Sequence, residues 1–182
     1  MSERQDAYIE TEGGTLYASV WGGSPEARTP IVLLHDSLGS VALWRDFPAR
    51  LAAQTGLPVI AYDRAGFGQS SARTDGLALD FISAEAPTSL SAVLQHFAVD
   101  KVILFGHSVG GGMAVSAAAQ WPQRVLAVIT ESAQAFVEDR TLQGIQEART
   151  RFADPAQLAR LAKYHGNDLQ QARWVLSAWI DT

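Results

Sequence analysis

A mostly parallel, doubly wound α/β sheet is the fold class predicted for this 182-residue chain. Two observations carry the prediction. Four short runs, "PIVLLHD", "LPVIAYDR", "KVILFGHS" and "RVLAVITES", are apolar without alternation, as expected of strands covered on both faces. Segments with helical spacing lie between them. Strand, helix, strand in this rhythm requires right-handed crossovers and a parallel sheet with helices on both sides.

The elements follow in order. "AYIETEGG" and "TLYASVWG" meet at Gly13-Gly14, a hairpin turn, and "GGSPEARTP" is a polar loop. The first buried strand covers 30–36. Residues 41–56 place Leu43, Phe47 and Leu51 at helical spacing; Gly56 ends that helix, and Pro48 makes its first half less regular. The second strand runs into the tight turn "AGFGQS". A helix over 86–100 sets Leu90, Val93, Leu94 and Phe97 on one face. The third strand, the small-residue helix "VGGGMAVSAAAQWP" and the fourth strand complete this alternation.

After Ser132 the pattern changes to three helical segments with no strand between them. Asp154 ahead of Pro155 is an N-cap pair, and Asn167 or Asp168 caps the last helix. Leu169, Ala172, Leu176, Trp179 and Ile180 are expected to line its inner side. Residues 1–135 therefore read as an incomplete α/β core, and 136–182 as the start of a helical cap.

Composition narrows the function. Hydrophobic residues make up 47% and charged residues 18%, the profile of a folded globular protein. Fourteen Lys and Arg against nineteen acids, interspersed, give a net charge of −5, which argues against nucleic acid and anionic membrane as partners. The absence of cysteine excludes disulfides, thiolate metal sites and a cysteine nucleophile. "MSERQDAYIE" lacks the pattern of a signal peptide, and no apolar stretch is long enough to span a bilayer, so a soluble, cytoplasmic protein is expected.

The chemistry centres on Gly106-His107-Ser108-Val109-Gly110. In a G-x-S-x-G elbow a strand turns sharply into a helix, so the two flanking glycines must be small where the elements pass closely. Ser108 is thereby exposed at the helix N-terminus, and the backbone N–H of Val109 can hold an oxyanion. "HDSLGS" (35–40) follows the first buried strand, where such enzymes place a second oxyanion donor. "YDRAGFGQSS" (62–71) follows the second. It lacks the third glycine of a dinucleotide fingerprint, and Ser70 reads as a turn-former, so the whole turn is structural and no cofactor or metal is called for.

In this order on these strands, the three motifs resemble the α/β-hydrolase family, from about Tyr8 to Ser132. The likeness is nearest to cap-bearing serine esterases and to the carbon–carbon bond hydrolases of aromatic-ring degradation. It implies a small-molecule ester or ketone substrate, Ser108 as nucleophile and the Ser37 and Val109 N–H groups as the oxyanion site. It also implies that His35 braces the first loop, with Gly106, His107 and Gly110 shaping the elbow. Asp36 departs from the family's usual His-Gly-x-x-Gly loop. Haloalkane dehalogenase chemistry is excluded, because it needs aspartate where Ser108 stands. Haloperoxidase or perhydrolase chemistry stays open, as does a non-catalytic binding module.

The resemblance orders the triad as serine, acid, histidine, with the last two on loops after later strands. Glu131, ending the fourth strand, is a possible acid or simply a polar strand end. His165, the one histidine beyond the elbow, is a candidate base or a partner for a helix C-terminus ahead of Gly166. An apolar last strand would be a bare edge that invites association. The expectation is an N-terminal portion whose 124–131 edge is covered by a C-terminal fragment or a second chain, which brings the missing acid and histidine. Phe136, Phe152, Trp174 and Trp179 either form a lid over the acyl pocket or pack the cap helices together.

Overall fold

The computed structural model describes residues 4–133, 136 and 138–181. Six strands form one sheet: β1 (Gln5–Thr11), β2 (Gly14–Trp21), β3 (Ile31–Leu34), β4 (Val59–Tyr62), β5 (Val102–His107) and β6 (Val125–Glu131), in the order β1-β2-β4-β3-β5-β6. β1 and β2 are the expected hairpin, and β2 meets β4 antiparallel. The four remaining strands run parallel, as their unbroken apolar runs require.

Alternation along the central strands deals their side chains to two cores. Ile31, Leu33, Val59 and Ala61 join Tyr17, Trp21 and Ala52 beneath α1 (Phe47–Thr55). Val32, Leu34, Ile60, Val102 and Leu104 pack on the other face with Val93, Leu94, Met113 and Ala114. These last four come from α3 (Ser91–His96) and α4 (Val109–Gln120).

Two predicted helices are less regular than expected, each with a proline in it. Residues 41–56 divide into a 3₁₀ turn (Val41–Trp44) and α1, with Arg45 at φ 53° between them. Pro48 has no N–H to offer an upstream carbonyl, so it opens a helix instead of continuing one. Gly56 closes α1 in the left-handed region at φ 68°. The helix expected over 86–100 starts earlier, as α2 (Phe81–Ala84), and passes through a wide π turn (Ala86–Leu90) containing Pro87 before α3.

β6 lies at the edge of the sheet, paired with β5 alone. Its predicted burial on both faces does not hold: Leu126 is 54% and Ile129 45% exposed. Beyond β6 come α5 (Asp139–Phe152), α6 (Pro155–Ala162) and α7 (Leu169–Ile180). Asp154 caps α6 by accepting the Ala156 N–H at 2.9 Å, and Asp168, not Asn167, caps α7 by accepting from Gln170 at 2.7 Å. The buried side of α7 is rotated from the predicted stripe. It carries Gln171, Ala172, Val175 and Ala178, whereas Leu169 is exposed. Among the described residues no helix is long and apolar enough to cross a membrane.

Candidate active site

The elbow is built by close approach. β5 ends at His107, α4 begins at Val109, and Ser108 between them holds φ 54° and ψ −121°. A non-glycine residue there stores about 1–3 kcal/mol, tolerated only when its surroundings hold it. They do: the Ser108 N–H donates to the Glu131 carbonyl at 2.9 Å, and its own carbonyl accepts from Gly111 at 2.9 Å. A Cβ on Gly106 would sit 2.2 Å from the Gly110 oxygen, and one on Gly110 would sit 2.2 Å from the Leu34 oxygen. Both positions therefore exclude any side chain.

The loop after β3 is fixed by two buried basic residues. His35 donates from Nδ1 to the Asp36 carbonyl at 2.8 Å and accepts the Arg64 N–H at Nε2 (3.2 Å). Arg64 Nη2 donates to the same Asp36 carbonyl at 2.8 Å. Burial, reinforced by the neighbouring guanidinium, holds His35 well below the usual imidazole range, so the neutral ring can act as both donor and acceptor. Asp36 does not face an oxyanion freely. Its Oδ1 accepts the Leu38 N–H at 3.0 Å, and its Oδ2 lies 3.4 Å from His107 Nδ1. The other ring nitrogen of His107 lies 2.9 Å from Glu131 Oε2, so the imidazole bridges two carboxylates.

The turn after β4 supports that loop from below. Asp63 accepts the Val41 N–H at 2.6 Å and the Gln69 N–H at 2.7 Å, while burial pushes its carboxyl up to about 7. A Cβ on Gly68 would lie 1.9 Å from Asp63 Oδ2, which is why glycine stands there. Ser70 is a turn-former: its hydroxyl donates to the Asp63 carbonyl at 2.6 Å and accepts the Tyr17 N–H at 2.9 Å. Arg64 was not singled out by any motif, yet it joins this turn to the loop. A buried cation next to an apolar strand was the available signal. Its charge is balanced by buried Glu85, whose Oε1 accepts from the Tyr62 hydroxyl at 2.6 Å.

These segments border a cleft of about 770 Å³ whose lining includes Ser37, Leu38, His107, Ser108, Phe136 and Trp179. The cap aromatics thus divide. Phe136 and Trp179 face the cleft, whereas Phe152 packs beside α6 and Trp174 packs on Phe67 and donates to the Asp75 carbonyl at 2.7 Å.

His165 is placed differently from either sequence reading. His165 is fully buried, is absent from the cleft lining, and does not cap a helix with its ring. Its Nδ1 accepts the Gly68 N–H at 2.9 Å, and its Nε2 donates to the Leu38 carbonyl at 3.1 Å. A structural tie between segments leaves it no proton to exchange with Ser108. Glu131 accepts from the Ser132 hydroxyl at 2.8 Å with one oxygen and faces His107 with the other. Among the described residues no cluster of three or more His, Asp or Glu is arranged to hold a metal ion.

Comparison with known proteins agrees with this architecture. A family model for the alpha/beta hydrolase fold matches residues 29–175. The 1-acylglycerol-3-phosphate O-acyltransferase ABHD5 of Rattus norvegicus is 29% identical over 70% of this chain and 36% of its own length. The dihydrolipoyllysine-residue acetyltransferase component of the acetoin cleaving system of Pseudomonas putida is 32% identical over 74% of this chain and 38% of its own length. The chain thus spans little more than a third of these curated relatives. Among solved structures, the 2-hydroxy-6-oxo-6-phenylhexa-2,4-dienoate hydrolase of Rhodococcus superposes with a TM-score of 0.74 at 19% identity, covering 99% of this chain and 72% of that one. A carboxylesterase structure from the thaumarchaeon Nitrososphaera gargensis gives 0.71 at 18% identity, over 96% and 72%. The sheet order, the serine elbow and the family match lead to one conclusion: the chain belongs to the alpha/beta hydrolase fold family.

Proposed function

We propose that this chain carries the nucleophile of a serine hydrolase that cleaves a small carboxylic ester, or the carbon–carbon bond of a vinylogous ketone. One observation carries the reading: Ser108 is held in a strained conformation at the mouth of α4, on a cleft it shares with Ser37. In the ester reaction Ser108 Oγ attacks the carbonyl carbon as a base removes its proton. The oxygen that becomes negative is held by the Val109 and Ser37 N–H groups; the alcohol then leaves with that proton, and water releases the acid. For a ring-cleavage ketone, Ser108 instead activates a water that adds to the carbonyl; the adjacent carbon–carbon bond then breaks, leaving a carboxylic acid, and the departing carbon takes up the proton. Phe136 and Trp179 supply apolar surface for the acyl portion. No metal or cofactor enters these steps.

The base and its orienting acid are proposed to reside on a further polypeptide segment that pairs with the open edge of β6. The support is physical. His35 and His165 are committed to loop hydrogen bonds, and His107 is flanked by Asp36 and Glu131. Leu126 and Ile129 leave an apolar edge strand open, which natural sheets generally cover. In the full gene product, Leu126→Lys with Ile129→Lys should cost more than about 2 kcal/mol in urea denaturation if that surface is covered. A change within about 0.5 kcal/mol would mean that β6 faces water.

A second reading, a non-catalytic binding module on the same fold, is favoured by one feature: carboxylates flank the only histidine beside Ser108. Hydrolysis of short p-nitrophenyl esters by the full gene product separates the two. Activity abolished by Ser108→Ala supports the enzyme, and no activity above that variant supports the module.

A further inference from the structure

The loop that offers Ser37 to an oxyanion does not hold its shape alone. Its central residue, Leu38, is gripped at three points. Its N–H is taken by the Asp36 carboxylate at 3.0 Å, within the loop. Its carbonyl accepts from His165 Nε2 at 3.1 Å, a residue 127 positions away in the helical segment. Its side chain lies between α6 and α7, packed against the cluster of Leu158, Leu161, Ala162 and Ala172 and against the cluster of Phe67, Val175 and Ala178.

The same helices are fastened to the turn after β4. The second ring nitrogen of His165 accepts the Gly68 N–H at 2.9 Å. Buried Gln171 donates from Nε2 towards the carbonyls of Gly66, Gly68 and Ser70 at 3.2–3.3 Å. A Cβ on Gly66 would collide with Trp174 at 2.3 Å, so this contact also depends on glycine. The neutral imidazole is the only state that supplies one acceptor and one donor here, and burial keeps the ring in it.

We propose that His165 is a positioning residue which, with the Leu38 side chain as its anchor, makes the oxyanion loop depend on docking of the α6–α7 pair. The inference rests on the serine hydrolase reading for its catalytic consequence, but not for its structural one. When the pair is seated, the Leu38 carbonyl is drawn towards His165, which fixes the Leu38–Gly39 peptide, one residue beyond Ser37. When it lifts, the Leu38 carbonyl loses its donor and its side chain loses both walls of its socket. Opening the cleft and dismantling the oxyanion site are then one event, so a substrate entering through displaced helices meets a complete site only after they close again.

The test uses the full gene product and the two amide mimics of histidine. In His165→Gln the side-chain nitrogen stands where Nε2 stands and keeps the donor to Leu38. In His165→Asn the side-chain oxygen stands where Nδ1 stands and keeps only the acceptor for Gly68. Two readouts are taken: the rate at which a fluorophosphonate forms an adduct at Ser108 in folded protein, and amide hydrogen exchange at Leu38 and Gly39. The expected result is adduct formation within about threefold of wild type for His165→Gln and at least about tenfold slower for His165→Asn, with faster exchange at both amides in the Asn variant only. Should the Asn variant not fold, Leu38→Ala removes the anchor directly and is expected to show the same two effects.

A purely structural tie would lower the thermal midpoint of both variants and leave the adduct rate per folded molecule and the loop exchange alike in the two, which overturns the inference. If wild type forms no adduct, the hydrolase reading fails by itself, and the exchange measurement still decides whether His165 holds the loop.

Discussion

Lowering the pH from 7 to 4 asks His165 to take up a proton in a place built for a neutral ring. Burial lowers it from the ordinary imidazole value of 6.5 to about 4, because the imidazolium would lose solvation and would present an N–H to the Gly68 N–H, which needs an acceptor. The folded-state value lies below the unfolded one, so between them the unfolded chain binds more protons. The contribution is therefore complete above about pH 6.5 and is lost as pH falls towards 4. At 1.36 kcal/mol per unit, the shift amounts to about 3 kcal/mol at pH 4 and about 2 kcal/mol at pH 5. Urea denaturation of wild type and His165→Gln at a series of pH values isolates this one group, since His35 and Asp63 titrate in both proteins. The wild-type stability should fall relative to the variant by these amounts between pH 6.5 and 4. Parallel profiles for the two proteins would mean that His165 is not held neutral by the fold.

Other consequences concern packing at the elbow and under the helices. Gly110→Ala places a methyl 2.2 Å from the Leu34 oxygen, and the expected loss is at least about 1–3 kcal/mol, read as a lower urea midpoint, with reactivity of Ser108 abolished. Gln171→Ala removes the donor shared by three buried carbonyls and should cost about 1–3 kcal/mol, with increased protease sensitivity confined to α6 and α7.

The elbow was readable from sequence because its requirements are local: two glycines where backbones touch, a strand before and small residues after. The same holds for the sheet. Four unbroken apolar runs contain their own evidence of burial on both faces, and only β6 departed, since exposure at an edge depends on what lies beside it. The supports of the site were not readable. His165 reaches Gly68 across 97 positions and Leu38 across 127, and nothing in the spacing around "YHGND" announces either bond. Hydropathy put Leu169 on the inner face of α7 and left Gln171 outside. Hydrogen bonds to three carbonyls of one turn outweighed it. Asp36 stands out in the sequence only as a departure from the family's usual loop, and its partners, Leu38 N–H and His107, emerge only when β3 and β5 lie side by side.

Covalent labelling of one residue tests whether Ser108 is a working nucleophile. The full gene product is treated with a fluorophosphonate, digested and mapped by mass spectrometry. A single adduct is expected on the peptide containing Ser108, absent from Ser108→Ala and from protein unfolded before treatment. Folded full-length protein that stays unlabelled, or that carries the adduct on another residue, would contradict it.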